Sequence, residues 1–108
     1  MNGNNNPGVT KAISLGTPWQ QLGTLYNSDY PTELKEGTSI AAGCWLYIDA
    51  NDAEVCFADS LPSLSKGHVL AAGDSTIWGN AAWIKRAWLR NKTAGSVAVL
   101  VVTPTFAF

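Results

Sequence analysis

The stretch SVAVLVV at residues 96–102 puts Val97, Val99 and Val101 on one face of an extended chain and Ala98, Leu100 and Val102 on the other. GCWLYIDA at residues 43–50 does the same, with Cys44, Leu46 and Ile48 alternating against Trp45 and Tyr47. An antiparallel sheet that leaves one face to water carries polar residues at alternate positions. Strands that lack this alternation must be covered on both sides, either as central strands of a tight sandwich or by another subunit. A chain of 108 residues is one domain, and a domain this small buries only a modest fraction of its surface.

Turn-forming clusters recur at short intervals: Gly16-Thr17-Pro18, NSDYP at 27–31, KEGT at 35–38, DAND at 49–52, LPSLSKG at 61–67, AGD at 72–74, Gly79-Asn80 and NKTAG at 91–95. The segments between them are rich in Val, Ile, Trp, Thr and Tyr, which predicts strands near residues 9–14, 19–25, 40–48, 53–58, 67–72, 75–78, 82–90 and 95–102. The fold class is therefore all-β, a small antiparallel β-sandwich or β-barrel. Ala82, Trp83, Arg86 and Arg90 recur at three and four, which is helical spacing, but two tryptophans five apart and the β-rich run that follows favour a strand. Residues 1–8, nearly all Asn and Gly, form a flexible N-terminal arm ahead of a single β domain at 9–108. Read as a hairpin turn centred near Asn51, DAND sets Cys44 opposite Cys56 or Phe57 on adjacent strands. Residues 81–101 then read as a late hairpin whose strands run through the middle of the sandwich.

Composition narrows the function classes. Charged residues make up 14% of the chain, well under the roughly 25% of ordinary soluble domains. Lys85, Arg86, Arg90 and Lys92 are the only basic cluster, and they alternate with large apolar residues, so no nucleic-acid partner is expected. No apolar run approaches the length of a membrane span, and MNGNNNPGV lacks both the basic and the apolar region of a signal peptide, so a cytosolic origin without membrane contact is expected. Two cysteines lack metal-site spacing and read as buried thiols. Asp49, Asn51, Asp52 and Glu54 resemble the start of a calcium loop but lack its Gly and closing Glu, which leaves no metal site. His68 has no nucleophile motif near it, so no catalytic residue, enzyme activity or cofactor is expected. NKT at 91–93 is a glycosylation sequon of no consequence without a secretory route.

Five tryptophans, Trp19, Trp45, Trp78, Trp83 and Trp88, are the excess that needs a use. Tryptophan suits small cores and the centres of protein interfaces. It also stacks on sugars, so a small carbohydrate-binding β-sandwich module is the alternative reading, through Trp19 with Gln21 and through Trp78 with its neighbour Asn80. The interface reading places Trp83, Arg86, Trp88 and Arg90 against a neighbouring subunit, with the two arginines at the rim. Phe106 and Phe108 of the tail, after a proline that tends to end strand pairing, reach onto an adjacent copy.

The order of these features, Leu15-Gly16-Thr17 with Trp19, a strand-turn-strand pair, Gly73 to Trp78, AWIKRAWLR and then GSVAVLVV, resembles that of small accessory structural proteins of tailed bacteriophages across residues 12–102. The resemblance implies a non-enzymatic virion protein that decorates or joins parts of the capsid or tail, as head decoration proteins and head-tail adaptors do. Its implied partners are itself, as a homo-oligomer for which a trimer is one candidate, and other virion proteins, with assembly in the host cytoplasm.

Overall fold

The computed structural model describes residues 5–7, 9–26, 41–79 and 81–107. In chain order the elements are β1 (Asn5–Pro7), β2 (Lys11–Ser14), β3 (Gln20–Gln21), α1 (Leu22–Tyr26), β4 (Ala41–Ala50), β5 (Ala53–Phe57), β6 (His68–Leu70), β7 (Ser75–Trp78), α2 (Ala81–Arg86), β8 (Ala87–Asn91) and β9 (Val99–Ala107). A five-stranded antiparallel sheet runs β1-β9-β4-β7, with β2 pairing β9 on the same side as β1, and a four-stranded sheet runs β3-β8-β5-β6. The two pack into a small, mostly β sandwich, as the sequence pattern predicts.

The alternation along each strand explains the core. Cys44, Leu46 and Ile48 of β4 and Leu100 and Val102 of β9 face Ala53 and Val55 of β5 and Ala87 and Leu89 of β8, all buried. The short helices complete it: Leu22, Leu25 and Tyr26 of α1 and Ile84 of α2 enter the same cluster. Lys11 anchors α1 by donating from Nζ to the carbonyl of Tyr26 at 2.9 Å, and the Tyr26 hydroxyl donates to the carbonyl of Val9 at 2.6 Å.

Several sequence expectations change. The DAND turn does not form a hairpin, because β4 and β5 belong to different sheets. Cys44 pairs with Trp78 and Pro104, and Cys56 pairs with Trp88, so the two thiols are not neighbours. The turn is a corner between layers, made by Asn51 at a left-handed φ of 59°, a conformation Asn tolerates, with Nδ2 donating to the carbonyl of Val97 at 2.7 Å. The late hairpin is a second such corner: β8 and β9 lie in opposite sheets, each central in its own. Asn91 pins that crossing, its Oδ1 accepting from the backbone of Ala98 at 2.8 Å.

Residues 82–90 are not one strand, since α2 occupies Ala81–Arg86 before β8 begins. The helix holds because its last carbonyls find donors: Gln21 Nε2 bonds the carbonyl of Lys85 at 2.8 Å and the backbone of Ala58 bonds that of Arg86 at 2.9 Å. Lys85 and Arg86 also suit the negative end of a helix. Residues 19–25 likewise divide into a two-residue strand and α1, whose Leu22, Leu25 and Tyr26 share one buried side.

The last strand starts at Val99 and continues through Pro104 to Ala107 instead of stopping at the proline. On its outer side, β2 covers residues 99–102 and β1 covers 105–107, so the interruption between β1 and β2 lies opposite Thr103 and Pro104, where a missing N–H costs least. Asn5–Pro7, within the segment expected to be an arm, thus pairs along β9, and the backbone of Phe106 pairs with Asn6 and Ala41. The turns expected at 27–31 and 35–38, and Phe108, lie outside the described residues.

Candidate functional site

Each sheet has an outer face, and the two are finished differently. On the four-stranded sheet, Trp19, Gln21, Glu54, Cys56, Trp88 and Arg90 point away from the core, yet all are buried or half-buried. Their cover is the chain's own loop between β5 and β6. Trp19 Nε1 donates to the carbonyl of Leu64 at 3.1 Å, Trp88 Nε1 to that of Ala58 at 3.0 Å, and Arg90 Nη2 to that of Ser65 at 2.6 Å. Glu54 holds Arg90 Nε at 2.9 Å and accepts the backbone N–H of Gly67 at 3.2 Å. The Arg90 guanidinium lies 4.2 Å from the centroid of the Trp19 ring, a cation–π contact. Gly67 is required here: a Cβ would come within 2.6 Å of the Val55 carbonyl oxygen and 2.8 Å of the Trp19 ring.

The outer face of the five-stranded sheet has no such cover among the described residues. Register places Ile77, Trp45, Thr103 and Thr10 in one row and Ser75, Tyr47, Val101 and Ala12 in the next. Trp45 is 58% exposed and Ile77 67%, and neither row contains a charged side chain. Trp45, Tyr47, Ser75, Val101 and Thr103 line a shallow depression on this face.

A second exposed aromatic group lies where α2 meets β5. Phe57, Trp78 and Trp83 form a cluster with ring centroids 5.3 to 6.3 Å apart, of which Trp78 is buried and Trp83 is 50% exposed. Beside it Arg86 Nε bonds Asp59 Oδ1 at 2.7 Å, an exposed ion pair.

The residues singled out from sequence thus separate. Trp83 and Arg86 meet at the α2 groove. Trp88 is half-buried under the loop. Arg90 is not a rim charge, because its guanidinium is held by Glu54, Ser65 and Trp19 of its own chain. Trp19, Gln21 and Trp78, the residues of the carbohydrate alternative, are buried, and Gln21 spends its amide on capping α2. Asn80, the polar neighbour invoked for Trp78, lies outside the described residues. Sequence reasoning did not single out Ile77 or Phe57, and Asp59 was visible only as an acid that could accompany His68. Ile77 had a signal, since in STIW it must oppose the buried Trp78, but Phe57 and Asp59 gain meaning only from the helix beside them.

The chemistry of the remaining candidates is structural. Burial pushes the Cys44 thiol up to about 12. Burial also raises that of Cys56, with Arg90 opposing the rise and Glu54 adding to it, so both thiols stay protonated at neutral pH. Of the calcium-like group, Asn51 and Glu54 are engaged as above and Asp52 Oδ1 accepts the backbone N–H of Ala72 at 2.9 Å. Among the described residues no group of three or more His, Cys, Asp or Glu could hold a metal ion, and no helix is long and apolar enough to cross a membrane.

Comparisons with protein-family models, curated proteins and solved structures gave no match to this chain.

Proposed function

We propose that this chain is a non-enzymatic structural protein that self-associates and decorates or joins parts of a bacteriophage capsid or tail, assembled in the host cytoplasm. The observation that carries the self-association is the outer face of the five-stranded sheet, which no described segment covers. Trp45 pairs there with Ile77, and Tyr47 with Val101 of β9 in the next row, while the other sheet is covered by its own chain. A contiguous apolar face of this kind on a small domain marks a contact surface.

These two rows carry no charged side chain, with Asp49, the next outward residue of β4, at their edge, and this favours a second copy as the occupant. In a two-fold contact a patch meets itself, so any net charge would oppose its own image, and these two rows have none. The placement in a virion draws its support from the resemblance across residues 12–102. Copies joined through this face would leave the loop-covered face outward.

Light scattering over a concentration series tests the reading, with Ile77→Glu as the probe. The native protein is expected as a dimer or larger species, and Ile77→Glu, which sets like charges against each other, as a folded monomer with an unchanged circular dichroism spectrum. A native monomer at every concentration, or an Ile77→Glu variant of native mass, would overturn it.

A further inference from the structure

We propose that the groove between α2 and the end of β5 is a saccharide-binding site, with Trp83 as the stacking platform and the Arg86–Asp59 pair as the hydroxyl clamp. This goes beyond self-association and uses a different surface. Two adjoining hollows share Ala82 and Arg86: one of about 330 Å³ lined by Phe57, Ala82, Trp83 and Arg86, and one of about 310 Å³ lined by Asp59, Ala82, Lys85 and Arg86. Each is at the small end of the roughly 300–1,000 Å³ typical of ligand sites. The groove is aromatic at one end and polar at the other.

The aromatic end is rigid as well as exposed. Trp83 packs edge-on against Phe57 at 5.3 Å and tilts against the buried Trp78 at 6.3 Å, so the half-exposed ring is braced from within. A braced, exposed indole is suited to the flat C–H face of a sugar ring, which needs a large apolar platform without a deep pocket. The core has no use for this exposure, since Ile84 of the same helix supplies the buried contact.

The polar end selects among ligands that could lie on such a platform. Arg86 engages Asp59 through Nε and Oδ1, and its terminal nitrogens and the second Asp59 oxygen make no hydrogen bond to any described residue. That leaves a donor and an acceptor side by side, and Lys85 adds a second donor at the same hollow. A hydroxyl both donates and accepts, so neighbouring hydroxyls of a sugar match the pair. An anion would face the Asp59 carboxylate, and a purely apolar segment would leave Arg86 and Asp59 stripped of water and only partly bonded.

The test is titration of isotopically labelled protein with maltotetraose, cellotetraose and chitotetraose, followed on the five indole N–H resonances, with Trp83 assigned from Trp83→Phe. The expected result is a saturable shift of the Trp83 signal with at least one of these up to about 10 mM, above the ~1 mM of weak sites. Asp59→Asn and Trp83→Ala should each weaken that binding at least tenfold, while Ile77→Glu leaves it intact. No saturable shift with any of the three, shifts confined to other indoles, or full binding by folded Asp59→Asn would overturn the proposal. So would a Trp83 signal that moves with protein concentration alone, because the groove would then be closed by another copy.

Discussion

Trp19 and Trp45 lie on the outer faces of the two sheets of one sandwich, and one is 7% exposed while the other is 58% exposed. Both faces carry aromatic residues, Trp19 and Trp88 on one and Trp45 and Tyr47 on the other, although the first also holds Gln21 and the Glu54–Arg90 pair. What separates them is chain length nearby: the ten or so residues between β5 and β6 fold back over the four-stranded sheet, and no described segment does so over β4, β7 and β9. A small domain with two two-faced sheets can cover one face with its own loop. The other stays exposed among the described residues, and its uncharged rows are the surface that the proposed self-association would use.

The largest effect that separates the two faces comes from their tryptophans. Trp19→Ala removes the ring that carries Arg90 and the bond to Leu64, and should lower stability by about 3–5 kcal/mol in urea unfolding. A loss under about 1 kcal/mol would mean that the loop is not a true cover. Gly67→Ala is the next test, because the added methyl has to push against the Val55 carbonyl and the Trp19 ring. It should cost about 1–3 kcal/mol by the same measurement, and a neutral variant would show that the loop closes loosely.

The two thiols compare the sandwich interior with the space beneath the loop. Cys44 titrates at its ordinary value of 9.0 in the unfolded chain and near 12 in the fold, so its contribution to stability is full below pH 9 and is lost as pH rises from 9 towards 12. The native protein should therefore lose about 1.4 kcal/mol per pH unit in this window relative to Cys44→Ala. Cys56→Ala should change the slope less, since Arg90 opposes the rise there. Equal slopes in the native protein and Cys44→Ala would contradict the burial described for β4. The smallest effect belongs to the bare face: Trp45→Ala, measured at dilutions where the chain is monomeric, should alter stability by no more than about 0.5 kcal/mol.

Much of this was legible in the sequence, and the part that was not has a common cause. Alternation in GCWLYIDA and SVAVLVV set Cys44, Leu46 and Ile48 on the face opposite Trp45 and Tyr47, and Leu100 and Val102 opposite Val99 and Val101, without telling which face is the core, and Ser75–Trp78 was read to the residue. Alternation reports which side a residue faces but not which strand lies beside it. Both DAND and NKTAG therefore read as hairpins, although Asn51 and Asn91 use them to move the chain between sheets. The helix at Ala81–Arg86 was hidden for a related reason, because its stability comes from Gln21 and Ala58, which are distant in sequence. The same limit applies to the α2 groove: Trp83 and Arg86 were visible, but Phe57 and Asp59 join them only through the fold.

The most direct test of the difference between the faces is a dilution series of protein labelled with 5-fluorotryptophan, followed by fluorine NMR, with each signal assigned from a single Trp→Phe variant. The Trp45 signal should shift or broaden as concentration rises, while those of Trp19 and Trp88, covered by their own chain at all concentrations, stay fixed. A Trp45 signal that does not change while light scattering reports a growing mass would contradict the account, because the copies would then be meeting through some other surface.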